Sequence, residues 1–428
     1  LQTTTTFILT VQRPSVNKKM KFKITRRSIQ LPAVPYYGVQ DGGVGYLNLN
    51  SFTTGCAKDV RRAFLDMKKQ GMTSLVFDLR NNGGGSLQEA VNIVNMFVPK
   101  GITLVKTVGK MERANKEYKT TVEPIDTVMP IVVLVNDETA SASEITSGSL
   151  QDLDRAVVLG TRTYGKGLVQ VSMDLPYNGN LKLTSSKYYI PSGRCIQAIN
   201  YKHANGGYTE HVPDSLTHVF HTANGREVRD GGGIKPDVEV RPDSLPNIAF
   251  YLASSGRDST EVMWNWELQY LKKHPTIGPA KTFVISDADF EDFKQAVLKS
   301  GFKYDRESKK YLENLVKLAK FEGYYDDAKG EFDALEKKLN HNLAKDLDYN
   351  KQTLKKVLTS DLVSAYYYQK GSLENSLQFD KQWKKAVEIL KNPAEYKKLL
   401  QPVVGQPLVK LEPASNVAVD KKQKSKAK

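Results

Sequence analysis

Residues 74–85 read SLVFDLRNNGGG. An apolar run of strand length ends in two asparagines and three glycines, and a helical pattern follows from Leu87 to Phe97. The same unit recurs downstream. Residues 130–135 (PIVVLV) form a second apolar strand, Ser141 to Asp152 a second helix and residues 155–159 (RAVVL) a third strand. Upstream lie a strand at 42–49 and a helix over 56–70, with Val60, Phe64 and Met67 at helical spacing. Strand, loop and helix alternating in this way predict an α/β core with parallel strands. Alternating strands then run from Leu168 to Ile190, and residues 5–11 and 20–25 read as two more.

After Pro242 the texture becomes helical. A helix is expected over 261–273 and a linker over Pro275 to Val284. Amphipathic helices follow to Leu400, with Leu312, Leu315, Val316 and Ala319 on one face and Phe332, Leu335, Leu339 and Leu343 on another. The expected division is 1–18, a protein core at 19–245, helix and linker at 246–284, a helical domain at 285–402 and a basic tail at 403–428.

Composition narrows the classes. The 428 residues carry 62 basic and 47 acidic side chains, a net charge of +15. Five lysines among the last eight residues account for part of the excess, and such a tail reads as solvated. No aromatic-interleaved basic stripe is present, so nucleic acid is not an expected partner. No apolar run approaches the ~18 residues of a membrane span. Cys56 and Cys195 exclude a disulfide-dense scaffold and a four-cysteine zinc site; they either form one bridge or remain two buried thiols, and thiols are the expectation because a chain this long needs no staple. Leu1 leads almost directly into a strand pattern, so the chain reads as cut from a longer precursor, its targeting signal lost.

Chemistry is expected in the loops that end the apolar strands. In Asn81 to Gly85, three glycines either serve a tight turn or let backbone N–H groups face an anion. In Thr139-Ala140-Ser141-Ala142-Ser143-Glu144, Ser141 and Glu144 have the S-x-x-E spacing of a capping box. A serine at a helix start is also where a nucleophile gains from adjacent N–H donors, and the two readings are compatible. Residues 160–166 match G-x-x-x-x-G-K, but Gly167 and a strand follow where a phosphate loop needs Ser or Thr and a helix. Lys166 between two glycines is either a surface lysine or one partly desolvated; burial lowers an amine's pKa, and a neutral amine can take a proton from a serine. No G-x-S-x-G elbow occurs, and His211, His218 and His221 fit no zinc spacing.

Taken in order, these segments resemble the carboxyl-terminal processing peptidases, or tail-specific proteases. The resemblance runs over residues 5–242. It rests on Val44 to Leu47, Phe77 to Gly85, Thr139 to Ile145, Leu150 to Asp152, Gly165 to Gln170, Pro191 to Arg194 and Gly225-Arg226, ending at Gly231 to Asp237. It implies an α/β, ClpP/crotonase-like protease core with flanking strands, a remnant of a PDZ domain over 1–18 and a mostly helical C-terminal domain. It further implies a Ser/Lys dyad: Ser141 as nucleophile, Lys166 as general base and Gln170 orienting the amine. Backbone N–H groups of Ala142 and of Gly84 or Gly85 would receive the oxyanion, with Glu144 and Asp152 supporting. No metal or organic cofactor is implied. The implied partners are C-terminal tails of protein substrates, with a homo-oligomer or adaptor protein open, and the implied setting is the periplasm or cell envelope. The rival expectation is a binding or scaffold protein that retains the fold without activity.

Overall fold

The computed structural model describes residues 5–13, 18–29, 31–198, 212, 214–254, 260–339 and 342–402. The chain divides into two units, one of residues 31–242 with the chain from Asp380 on, the other of residues 1–30 with 243–379.

The second unit opens with a hairpin, β1 (Thr6–Gln12) antiparallel to β2 (Lys19–Thr25), so the expected boundary after residue 18 falls inside one hairpin. The first unit is built on a six-stranded sheet. Its strands are β3 (Tyr36–Gln40), β4 (Val44–Asn48), β5 (Ser74–Asp78), β8 (Ile131–Val135), β9 (Val157–Gly160) and β14 (Val238–Glu239), in the order β14-β9-β8-β5-β4-β3. All neighbours are parallel except β3 and β4. Every residue of β5 and β8 is buried, as their unbroken apolar runs require of strands covered on both faces. The covering helices are α1 (Cys56–Lys69), α2 (Leu87–Val94) and α3 (Ala142–Asp152). On α1, Val60, Phe64 and Met67 point into the core, as their spacing predicts. α3 is buried at all its positions, and its small residues allow that close packing. A second, antiparallel sheet, in the order β10-β11-β6-β7, holds β6 (Thr103–Gly109), β7 (Lys116–Lys119), β10 (Leu168–Leu175) and β11 (Gly179–Tyr189). A short hairpin, β12 (Val219–His221) with β13 (Glu227–Arg229), completes the strands.

The helical unit contains α4 (Asn247–Ala253), α5 (Val262–Lys273), α6 (Asp287–Ser300), α7 (Glu307–Glu322), α8 (Lys329–Leu339), α9 (Leu343–Tyr349) and α10 (Lys351–Ser376). Ile248, Phe290, Phe293, Leu354, Leu358 and Leu362 form its core. The segment read as a linker is pinned to α10, where Asn375 donates to the carbonyls of Ala280 and Phe283. Of the two expected apolar stripes, Leu312 and Ala319 are buried, whereas α8 buries none of its residues and Leu335 is exposed. Amphipathic spacing shows that a helix has an apolar face, not that a partner covers it.

The last two helices, α11 (Lys381–Leu390) and α12 (Pro393–Leu399), belong to the first unit. Sequence texture had grouped them with 285–402, because helical periodicity does not say which core a helix serves. Arg80, at the end of β5, donates to Gln382 and pairs with Asp380, the N-cap of α11. Trp383 packs edge-on against Tyr46, and the Ile131 N–H donates to the Tyr396 hydroxyl. The expected tail at 403–428 lies outside the described residues.

Candidate active site

Three neighbouring parallel strands, β5, β8 and β9, end at one edge of the sheet. Residues 79–85, 136–141 and 161–167 follow them, so the topology alone brings the three chemistry-bearing loops together. A cavity of about 390 Å³ opens there, lined by Gly83, Glu138, Ala140, Tyr164, Lys166 and Gln170.

Ser141 precedes α3 with φ 58° and ψ −116°, a backbone conformation that costs a non-glycine residue roughly 1–3 kcal/mol. Three residues on, the Glu144 carboxylate is fully buried and accepts four hydrogen bonds. They come from the N–H groups of Ser141 (2.8 Å), Gly165 (2.7 Å) and Lys166 (2.9 Å) and from the Thr163 hydroxyl (2.6 Å). Burial pushes the Glu144 pKa up, and the four donors oppose that rise. The Ser141 and Lys166 N–H groups meet on the same oxygen, Oε2. Glu144 therefore ties the start of α3 to the Lys166 loop, well beyond the local capping that the S-x-x-E spacing suggests.

The Gly-Lys-Gly segment is fastened at every backbone group. The Gly165 carbonyl accepts from Ala198 N–H, and the Gly167 carbonyl from Tyr188 N–H. Gln197 Oε1 accepts from Gly167 N–H, and the Tyr188 hydroxyl donates to the Lys166 carbonyl. Residues 160–166 run from a strand into a strand, so the phosphate-loop reading fails in the structure as it did in the sequence.

The glycine loop is organised by Asn82, whose role the sequence did not suggest. Its side chain is fully buried, donates to the Leu49 carbonyl and accepts from Gly84 N–H. Its own carbonyl accepts from Ala140 N–H and the Ser143 hydroxyl, which joins this loop to the Ser141 turn. Gly84 is one of the two expected oxyanion donors of this loop, and its N–H is engaged by Asn82 Oδ1 at 2.9 Å. Gly84 instead serves by close approach: a Cβ there would lie 2.8 Å from both Ser141 Cβ and Ala142 N. Gly85 is exposed on the same loop.

The remaining expected residues separate into two places. Gln170 shares the cavity with Lys166 and sits at a register shift between β10 and β11. Among the described residues no hydrogen bond joins Ser141 Oγ, Lys166 Nζ and the Gln170 amide. Asp152 lies at the far end of α3, on the order of 16 Å from Ser141 at 1.5 Å per residue. It pairs with the buried Arg194 (2.7 Å) and accepts Ser192 N–H, so it anchors the Pro191 to Arg194 turn. His218 is exposed beside Asp230, and His211 lies outside the described residues. Cys56 and Cys195 are free thiols; burial, with Glu89 alongside, pushes the Cys56 thiol up to about 12. No group of three or more potential metal ligands occurs among the described residues, and no described helix is long and apolar enough to cross a membrane.

The fold is a mixed α/β core with its candidate residues gathered on strand-end loops, and comparison with known proteins gives its family. Residues 43–203 match peptidase family S41, and residues 251–390 match the C-terminal helical domain of probable PDZ-proteases. A carboxy-terminal-processing protease of Bartonella bacilliformis is 39% identical over 199 residues, covering 46% of this chain and 45% of that protein. A probable CtpA-like serine protease of Staphylococcus aureus is 31% identical over 315 residues, covering 72% of this chain and 51% of that protein. The solved photosystem II D1 C-terminal processing protease is 28% identical, with a TM-score of 0.38 and 53% of each chain covered. The chain belongs to the S41 family, among the carboxyl-terminal processing peptidases. It spans about half the length of the curated relatives it matches.

Proposed function

We propose that this protein is a serine endopeptidase that cuts protein substrates near their C-termini, working in the cell envelope. The observation that carries this reading is the shared oxygen of Glu144, which accepts the N–H groups of Ser141 and Lys166 beside one cavity. In the proposed reaction Ser141 Oγ attacks the scissile carbonyl carbon and its proton passes to neutral Lys166 Nζ. The tetrahedral oxyanion is met by Ala142 N–H and a second N–H from the glycine loop, assigned to Gly85 because Gly84's is engaged. Such a donor is worth about 3–4 kcal/mol. Lys166 then protonates the departing amine as the C–N bond breaks. Water adds to the acyl-enzyme, giving a proton to Lys166; the acyl C–Oγ bond then breaks, Lys166 returns that proton to Ser141 Oγ, and the new C-terminus leaves as a carboxylate, its own proton passing to solvent. Gln170 orients the amine from the same cavity wall.

The test is cleavage of a protein bearing an unstructured C-terminal tail, with products read by mass spectrometry. Ser141→Ala and Lys166→Ala are each expected to abolish cleavage in proteins that keep the native fold. A rate that climbs with pH through an amine ionisation fits a lysine base. Undiminished cleavage by either variant rejects the assignment.

A further inference from the structure

A base standing between two glycines has little of its own to fix it. Five of the six backbone N–H and C=O groups of Gly165 to Gly167 are held by Glu144, Gln197 and the main chain of Ala198 and Tyr188. The sixth, the Lys166 carbonyl, accepts a 2.6 Å hydrogen bond from the Tyr188 hydroxyl. The same hydroxyl oxygen lies 3.3 Å from the Ser141 carbonyl. Tyr188 comes from β11, and only 1% of it is exposed.

We propose that Tyr188 is a positioning residue for Lys166 beside Ser141: its hydroxyl donates to the Lys166 carbonyl while its oxygen stands 3.3 Å from the Ser141 carbonyl, and one Glu144 oxygen accepts the N–H groups of the same two residues. The proposal rests on the reaction assigned above. A phenol has one hydrogen, and the shorter contact makes the Lys166 carbonyl its acceptor. The Ser141 carbonyl also receives Ile145 N–H at 2.9 Å, so the carbonyl at 166 is the one that depends on Tyr188. Burial, with the Glu144 carboxylate nearby, holds the phenol's pKa well above its ordinary value, so the hydroxyl stays protonated and remains a donor. The ring is part of the buried core of the first unit, and the hydroxyl carries the positioning.

Tyr188→Phe keeps the ring and removes the donor. The expected result is a fall in kcat of about 10- to 100-fold with KM within about twofold, because a displaced base slows the reaction without altering where the substrate lies. Replacing Tyr188 by 4-aminophenylalanine, which restores an N–H donor at that point, is expected to recover kcat to within about threefold of wild type. A merely structural role predicts that both variants lose thermal midpoint together and that kcat returns to the wild-type value well below that midpoint. That pattern, or unchanged kcat in Tyr188→Phe, overturns the proposal. Should Tyr188→Phe not fold, the 4-aminophenylalanine protein decides: near-wild-type kcat supports the proposal, and a loss beyond tenfold in folded protein overturns it. Ser141→Ala run alongside separates the two levels. If it is inactive while Tyr188→Phe is fully active, only the Tyr188 role falls; if it still cleaves, both assignments fall.

Discussion

Gly84→Ala tests how closely the glycine loop is fitted to the proposed nucleophile. Gly84 has φ +92°, in the region L-residues disfavour, and an added Cβ would stand 2.6 Å from the Ala140 carbonyl oxygen and 2.8 Å from Ala142 N. The left-handed conformation costs an alanine roughly 1–2 kcal/mol. Overpacking costs a further 1–3 kcal/mol or so, for a stability loss of about 2–5 kcal/mol. Ordinary van der Waals contact begins at 3.4 Å, so the turn at 140–142 must retreat by roughly 0.6–0.8 Å. A displacement of about 1 Å at a reacting group costs on the order of 100-fold in rate. Hydrolysis of an unstructured tail peptide should therefore show kcat down by about two orders of magnitude, measured beside a urea unfolding curve. Gly83→Ala is the control within the loop, because no atom lies within 4 Å of its added Cβ and it should leave stability within about 1 kcal/mol. A folded Gly84→Ala protein with kcat within threefold of wild type refutes the packing argument.

In the helical unit, burial and then the charge of Asp361 raise the Glu267 pKa to about 8, and Glu267 Oε1 has no hydrogen-bond partner. The unfolded chain ionises this carboxyl near pH ~4.3. The neutral carboxyl's contribution to stability is thus whole below that pH and declines as pH rises toward and through about 8. Glu267→Gln stays neutral, so the thermal midpoint of the full chain should fall less between pH 5 and pH 9 than in wild type; equal slopes count against a buried carboxyl here. In the first unit, Arg80→Ala strips the partner from Asp78 and Asp380, both largely shielded from water. Leaving such charges unpaired costs about 3–5 kcal/mol, visible as a lower urea midpoint, and a loss under about 1 kcal/mol shows that α11 is held without that pair.

The three strand-end loops were legible in the sequence because each couples a strong local signal, a fully apolar run, to a burst of glycine or serine. Ser141, Lys166 and Gln170 were placed by resemblance; Ser141 and Lys166 stand on loops that follow neighbouring strands of the six-stranded sheet, and Gln170, on β10 of the other sheet, lines the cavity with Lys166. What stayed hidden depends on long-range contacts. Tyr188 stands in LKLTSSKYYI, where one more aromatic at an inward strand position reads as core. Asn82 is one of two adjacent asparagines that a sequence reader cannot rank, yet it alone turns all its polar atoms inward. Gly84 looked like a donor because glycine is permissive, whereas its lack of a side chain is what the site uses. The helices at 381–399 carry the same periodicity as those before them, and it is long-range contacts, of Asp380 and Gln382 with Arg80, Trp383 with Tyr46 and Tyr396 with Ile131, that reveal which core they complete.

The strained backbone at Ser141 indicates why so many bonds converge there. A residue at φ 58° and ψ −116° returns to an ordinary conformation unless its surroundings over-determine it. The Ser141 N–H is fixed by Glu144, its carbonyl faces Tyr188 and Ile145 N–H, and the turn before it is held through Asn82. Each net hydrogen bond contributes about 0.5–1.5 kcal/mol, more where the acceptor is charged. Two or three of them offset the roughly 1–3 kcal/mol of strain, and the rest stiffen the turn. The Lys166 segment has no comparable strain in its lysine, but two glycines give it entropy to lose, and the same Glu144 and Tyr188 restrain it. One pair of side chains thus counters strain on one side of the cavity and disorder on the other. A substitution at either should therefore disturb Ser141 and Lys166 together, so that double variants at 144 and 188 depart from additivity in kcat.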